Sequence, residues 1–246
     1  MCQYSAHEGY VDDWHLVNLG RFAMGGAGLI ITEATAVQKK GRITHGCPGI
    51  WKDEQIIGHS RIAQFISRNG AIPGIQLGHA GRKASMQRPW YGNGPLNEDD
   101  FERGDMPWNI VAPSACSVGE GWQIPEEMSE EQICELIDDF IAAARRAISA
   151  GYKVIELHGA HGYLIHSFLS PVSNKRTDKY GGDLSGRMRL AVDVASALRR
   201  SVSDETPLFF RVSSTDNLEN GWSIEDSVEL AKELKKVGVD VIDCSS

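Results

Sequence analysis

Two imidazoles and a phenol crowd into the segment HGAHGY, as His158, His161 and Tyr163. The apolar run VIEL at 154–157 reads as a strand leading directly into them. The carboxyl ends of strands are where barrel and open-sheet α/β enzymes keep their chemistry. Imidazoles there can hold a substrate oxygen, and a phenol with an ordinary pKa of ~10 stays protonated at neutral pH and can donate. The HxxH spacing alone is also that of a metal pair or of two packed core histidines. A metal hydrolase would need a convincing third ligand, which the sequence does not offer. Tyr163 is equally readable as a packing residue opening a helix.

Composition narrows the class. The 246 residues carry 33 acidic and 25 basic side chains, a formal net charge of −8. That balance, without a basic stretch, argues against a nucleic-acid partner. The apolar runs are too short to span a membrane. Five scattered cysteines without a CxxC form neither a disulfide framework nor a zinc ribbon, so a reducing, cytoplasmic setting is expected. The first thirty residues lack a signal-peptide core. Residues 1–246 read as one domain.

The elements that must position the trio alternate along the chain. Residues 12–24 form an amphipathic helix, with Trp14, Leu16 or Val17, and Phe22 as candidate buried positions. Strands are expected at 28–35, 72–81, 154–158, 207–213 and 239–246. Helices are expected at 53–69, from Ser129 to about 150, at about 185–201 and at 224–237. Gly151 sits where a helix-ending glycine would. This order predicts a parallel sheet with right-handed crossovers. Residues 84–125 stand apart, rich in Pro, Gly, Trp and Asn and too long for an ordinary connection. Following a strand, they are expected over the functional end of the sheet, as a lid with Trp90, Tyr91 and Trp108 or as a mere cover for a core edge. Five strands fall short of the eight of a closed (β/α)₈ barrel, leaving an open sheet or a barrel truncated at both ends.

Ordered motifs run through the whole chain: MCQYSA (1–6), GLIITEAT (28–35), GRIT (41–44), IWKDEQI (50–56), GIQLGHAGRKA (74–84), APSA (112–115), ELHGAHGYLIHSFLSPVSNKRTDKYGG (156–182), FRVS (210–213) and GVDVIDCSS (238–246). With them the chain resembles the Old Yellow Enzyme family of FMN-dependent ene-reductases, in its bacterial-type branch with a cysteine near the flavin. The resemblance implies an α/β TIM-barrel fold, of which this chain would cover roughly strands 2–6 and lack strand 1 and strands 7–8. It implies FMN as cofactor and NADPH or NADH as reductant. It further implies NADPH dehydrogenase activity that reduces the activated C=C bond of an enone or nitro substrate, and in many members homo-oligomers.

The resemblance also assigns roles. His158 and His161 would hold the substrate's carbonyl or nitro oxygen, where donors lower the barrier to hydride addition. Tyr163 would protonate the α-carbon, and Tyr4 would close the substrate pocket. Met1, Cys2, Ala34, Gln76 and Arg211 would border the flavin. Arg211 would face its N1/O2 edge, and Gln76 would offer donor and acceptor to its pyrimidine edge. Arg211 could instead form a salt bridge, and Asp178 is expected to pair with a basic neighbour. The alternative from a different class is a non-catalytic, truncated family member that does not retain FMN. A relative with an iron–sulfur cluster would need cysteines that this chain does not carry.

Overall fold

Helix α1 (Asp13–Met24) begins where the Asp12 side chain accepts the Trp14 N–H and His15 answers on the Asp12 backbone. In the computed structural model, which describes residues 1–245, the elements β1 (Leu29–Ala36), α2 (Ile56–Arg68) and β2 (Ile72–Gly78) follow. Next come α3 (Glu98–Glu102), β3 (Val111–Ala112), β4 (Glu126–Glu127) and α4 (Glu130–Ala150). The chain then runs through β5 (Val154–Gly159), α5 (Leu164–Leu169), α6 (Leu184–Ser201), β6 (Leu208–Ser213), α7 (Ile224–Lys236) and β7 (Val241–Ser245). The strand expected to 246 has its last residue, Ser246, outside the described residues.

The main sheet is wholly parallel, in the order β1-β2-β5-β6-β7. Parallel neighbours need a crossover, and right-handed crossovers in sequential order put the helices on one face. Along that face α1, α2, α4, α6 and α7 lie side by side in chain order. Strand alternation sorts the chemistry. Ile155, Leu157, Leu208 and Phe210 are fully buried in the main hydrophobic cluster, whereas Glu156, His158 and Arg211 border a cavity on the other side.

Helix α4 anchors the cluster. Ser129 caps it through the Gln132 N–H, and Gly151 ends it in the left-handed conformation at φ 101°. Its Ile133, Leu136 and Phe140 are wholly buried, each a stabilisation of about 1.5–3 kcal/mol. Among the described residues no helix is long and apolar enough to cross a membrane.

One reading needs correction. On α1 the structure exposes Trp14, Val17 and Phe22 and buries His15, Gly20 and Ala23, with Leu16 only partly covered. Apolar size was the wrong guide there. Helix α2 approaches so closely that a Cβ on Gly20 would come within 2.8 Å of the Phe65 ring, so small residues take the contact face. The excursion at 84–125 carries local structure of its own. It holds α3 and β3, which pairs in parallel with β4 just beyond it, and Gln87 donates to the wholly buried Asp100 at 2.6 Å.

Candidate active site

His158 lies near the end of β5, in register with Arg211 on β6. It is buried, and the Ala160 N–H donates to its Nδ1 at 3.2 Å. Burial, then the neighbouring charges of His161 and Arg211, depresses its pKa to about 3. The ring is therefore neutral at pH 7. With Nδ1 acting as acceptor, its proton must sit on Nε2.

His161 adopts φ 60°, a left-handed conformation that costs a non-glycine residue roughly 1–2 kcal/mol. Two distant side chains hold it there. Ser213 Oγ accepts its N–H at 2.9 Å, and Lys83 Nζ donates to its carbonyl at 2.7 Å. Its Nε2 lies 2.7 Å from Ser245 Oγ. Burial, then Arg211 and Lys83, pushes its pKa down as well. The next turn is braced by His166. That ring accepts the Gly162 N–H on Nδ1 and donates from Nε2 to Asp216 at 2.9 Å. Asp216 also accepts from Ser170 and from the Trp222 N–H. Burial would raise its pKa, but these hydrogen bonds win and hold it at about 2.

Tyr163 opens α5 at the cap position. Burial first, then Cys2 and Tyr4, pushes its phenol upward, so it stays protonated. The ring centroids of His158 and Tyr163 are 4.9 Å apart, those of the two histidines 5.1 Å, and those of His161 and Tyr163 6.4 Å.

The opposite wall comes from strand residues in one row. Ala34 on β1 pairs with Gln76 on β2, which pairs with Glu156 on β5. Gln76 Nε2 donates to Glu156 Oε1 at 2.7 Å, leaving Glu156 Oε2 buried without a partner. Arg211 Nε is also buried without a hydrogen bond, 3.5 Å from Asp243 Oδ2. The salt-bridge alternative for Arg211 is thus partly realised. Glu33, beside Ala34, accepts the Gln3 N–H at 2.8 Å, and burial raises its pKa to about 7.

The N-terminal segment closes one side. The Ala6 N–H donates to Gly46, and a Cβ on Gly46 would collide with the Tyr4 carbonyl, so only glycine admits this path. Met1 is exposed at the rim. Burial keeps the Cys2 thiol protonated by pushing its pKa up. Over this side lies the excursion. Trp90 meets Tyr4 edge-on at 6.1 Å, and Trp108 and Trp122 pack in the cluster that holds Cys2, Tyr4 and Tyr163.

The nine residues to which the resemblance assigned catalytic, flavin or substrate roles border one cavity of about 300 Å³: His158, His161 and Tyr163 on one side, Ala34, Gln76 and Arg211 on another, and Met1, Cys2 and Tyr4 at the third. Asp178 pairs with Arg176 at 2.5 Å, away from the cavity. Sequence reading missed Glu156, Lys83, Ser213 and the His166–Asp216 brace. Gly159 and Gly162, on either side of Ala160 and His161, suit a tight turn, but nothing local signals what clamps it.

Comparison with known proteins shows the family and the fold. The model of the NADH:flavin oxidoreductase / NADH oxidase family matches residues 1–246. NADH:flavin oxidoreductase FG08077 of Gibberella zeae is 46% identical over the whole of this chain, which covers 62% of that protein. NADPH dehydrogenase of Bacillus subtilis is 43% identical, again over the whole chain and 67% of the relative. The chain therefore spans about two thirds of the length of these relatives. Among solved structures, morphinone reductase superposes with a TM-score of 0.82 at 26% identity, over 98% of this chain and 65% of that one. Old Yellow Enzyme from Pichia sp. gives 0.76 at 27%, over 95% and 59%. The five sequential parallel strands are the corresponding arc of the TIM barrel of these structures. The chain belongs to the NADH:flavin oxidoreductase / NADH oxidase family.

Proposed function

We propose that the cavity holds the ring system of FMN and that the protein uses NADPH or NADH to reduce the activated C=C bond of an α,β-unsaturated carbonyl or nitro compound. The observation that carries this reading is the convergence of two neutral imidazoles and a protonated phenol on a cavity whose far wall has unsatisfied polar atoms. The wall residues fit a flavin ring. Gln76 can present donor and acceptor, Arg211 Nε lacks a partner, and Ala34 leaves the wall flat. When bound, FMN would supply the redox chemistry that links the pyridine nucleotide to the acceptor.

The chain's own residues supply position and protons. His158 Nε2–H and His161 donate to the oxygen of the acceptor, where negative charge develops. Tyr163 delivers a proton to the α-carbon from a phenol that burial keeps protonated. Tyr4 narrows the entrance, and residues 84–125 form a lid that excludes water through Trp90 and Trp108. The names borne by the relatives, NADPH dehydrogenase among them, support NADPH as the reductant. The test is anaerobic NADPH oxidation by the FMN-supplemented chain with and without 2-cyclohexenone. Oxidation that depends on both FMN and the enone supports the reading. No enone-dependent oxidation would contradict it and favour a non-catalytic family member.

A further inference from the structure

Arg42 is a buried cation for which the redox site has no use. Its side chain is 3% exposed. Its Nε donates to the Lys39 carbonyl at 3.0 Å, while its Nη1 is buried without a hydrogen-bond acceptor. The closest paired carboxylate oxygen, on Glu8, lies 3.7 Å from Nη1. The guanidinium sits 5.1 Å from the centroid of Trp108 and 5.6 Å from that of Trp51. A guanidinium keeps its charge, and a half-satisfied buried charge is costly. An anion brought to it would be bound with the strength of a charge-assisted fork.

There is room for such an anion. Arg42 lines a cavity of about 400 Å³ together with Lys39, Lys40, His45, Met106 and Trp108. That is the size of a small-molecule pocket, about 300–1,000 Å³. Glu8 at its edge pairs with Lys39 at 2.9 Å. Among the described residues Lys40 pairs with no carboxylate, so Arg42 and Lys40 leave a local excess of positive charge in a chain of net charge −8. His45 adds none at neutral pH. Burial lowers its pKa despite Asp105 at 3.7 Å, and its ring packs edge-on against Trp108 at 4.9 Å. The indole of Trp108 and the exposed Met106 give the cavity an apolar wall. The cavity also adjoins the redox site. Arg42 lines a narrow cleft with Ala34, His158 and Tyr163, and Trp108 packs in the cluster that holds Cys2 and Tyr4.

We propose that this cavity binds the phosphorylated adenosine end of the pyridine nucleotide, with a phosphate against Arg42 and Lys40 and the apolar part against Trp108 and Met106. The proposal rests on the reading of NAD(P)H as reductant and extends it to a preference for the phosphorylated form. Its test needs neither flavin nor turnover, so it fails or holds independently of enone reduction.

The 246-residue chain would be titrated by calorimetry with 2′,5′-ADP, 3′,5′-ADP, AMP, adenosine and inorganic phosphate. The expected result is that 2′,5′-ADP binds at least about tenfold more tightly than AMP, the size of one charge-assisted hydrogen bond, and more tightly than phosphate alone. Lys40→Gln should weaken 2′,5′-ADP by about tenfold without changing the melting temperature, and Arg42→Gln should weaken it further. Arg42 also braces the Lys39 carbonyl, so Lys40→Gln decides the matter should the arginine variant fail to fold. The proposal is overturned if 2′,5′-ADP binds no better than AMP or phosphate, if 3′,5′-ADP binds better, or if Lys40→Gln changes nothing.

Discussion

The turn carrying His158, His161 and Tyr163 and the strand wall carrying Gln76, Glu156 and Arg211 face one cavity but are held in opposite ways. The turn is over-determined. Lys83, Ser213 and His166 each hold its backbone, and Asp216 braces His166. The wall is under-satisfied, with Glu156 Oε2 and Arg211 Nε buried without a hydrogen bond. A group that must meet a transition state gains from being fixed in advance. A group that must bind a ligand gains from holding its hydrogen-bonding capacity open until the ligand arrives. The contrast predicts that changes to the turn alter reaction rates, whereas changes to the wall alter flavin retention.

The largest effect is expected at Tyr163. Tyr163→Phe should slow reoxidation of reduced flavin by an enone by roughly 100- to 10,000-fold, the usual weight of a positioned acid, while leaving reduction by NADPH within about twofold. Rapid-mixing absorbance resolves the two half-reactions. Equal loss in both would remove Tyr163 from the role of proton donor. Next comes the wall. Arg211→Met should weaken FMN binding by about 10- to 100-fold, as expected for a hydrogen bond from a charged group, yet leave the melting temperature of the flavin-free chain unchanged or raised. A lower melting temperature without flavin would mean that the Asp243 contact is the main task of Arg211. The clamp should matter less. Lys83→Met and Ser213→Ala should each lower kcat/KM for the enone by about tenfold with FMN affinity unchanged, and Lys83→Arg should recover part of the loss.

The smallest and most distributed effect is on stability against pH. His158 and His79 are depressed from 6.5 to about 3 and His59 to about 4, all chiefly by burial. The unfolded chain therefore takes up protons below pH 6.5 that the folded chain refuses, so stability is present above that pH and falls as pH drops toward 4. Glu33 has the opposite sign. Its pKa is raised from 4.5 to about 7, so the folded chain keeps a proton that the unfolded chain has lost, and its contribution falls as pH rises through that window. With His15, His45 and His161 also lowered, and Glu156 and Asp193 also raised, six depressed histidines stand against three raised carboxyls and give a net rise in melting temperature from pH 4 to pH 6.5. Glu33→Gln should steepen it. A flat profile in differential scanning fluorimetry would contradict the neutral, buried histidines on which the oxygen-holding role depends.

The sequence was most readable where local chemistry decides structure. Ser129 and Gly151 bracket α4 as expected from capping alone, and β5 ends one residue beyond the expected strand. The residues of the cavity could be chosen because strand ends and family motifs both mark them. Structure set by distant contacts was less readable. The buried face of α1 depends on how closely α2 approaches Gly20, which no periodicity encodes. The pair β3–β4 is too short to register as alternation. Lys83 reads as an ordinary solvated lysine until the fold brings it to the His161 carbonyl, 78 positions away. Arg42 likewise looks like part of a motif and proves to be a buried cation under two indoles.

The account depends most on whether the wall and the turn together hold a flavin. The direct measurement is an absorbance spectrum of the purified 246-residue chain after incubation with FMN and desalting. The account predicts a visible flavin band that stays with the protein, bleaches on anaerobic addition of NADPH and returns with 2-cyclohexenone. A colourless protein after desalting would contradict it, and would leave the cavity as the family's architecture without the family's cofactor.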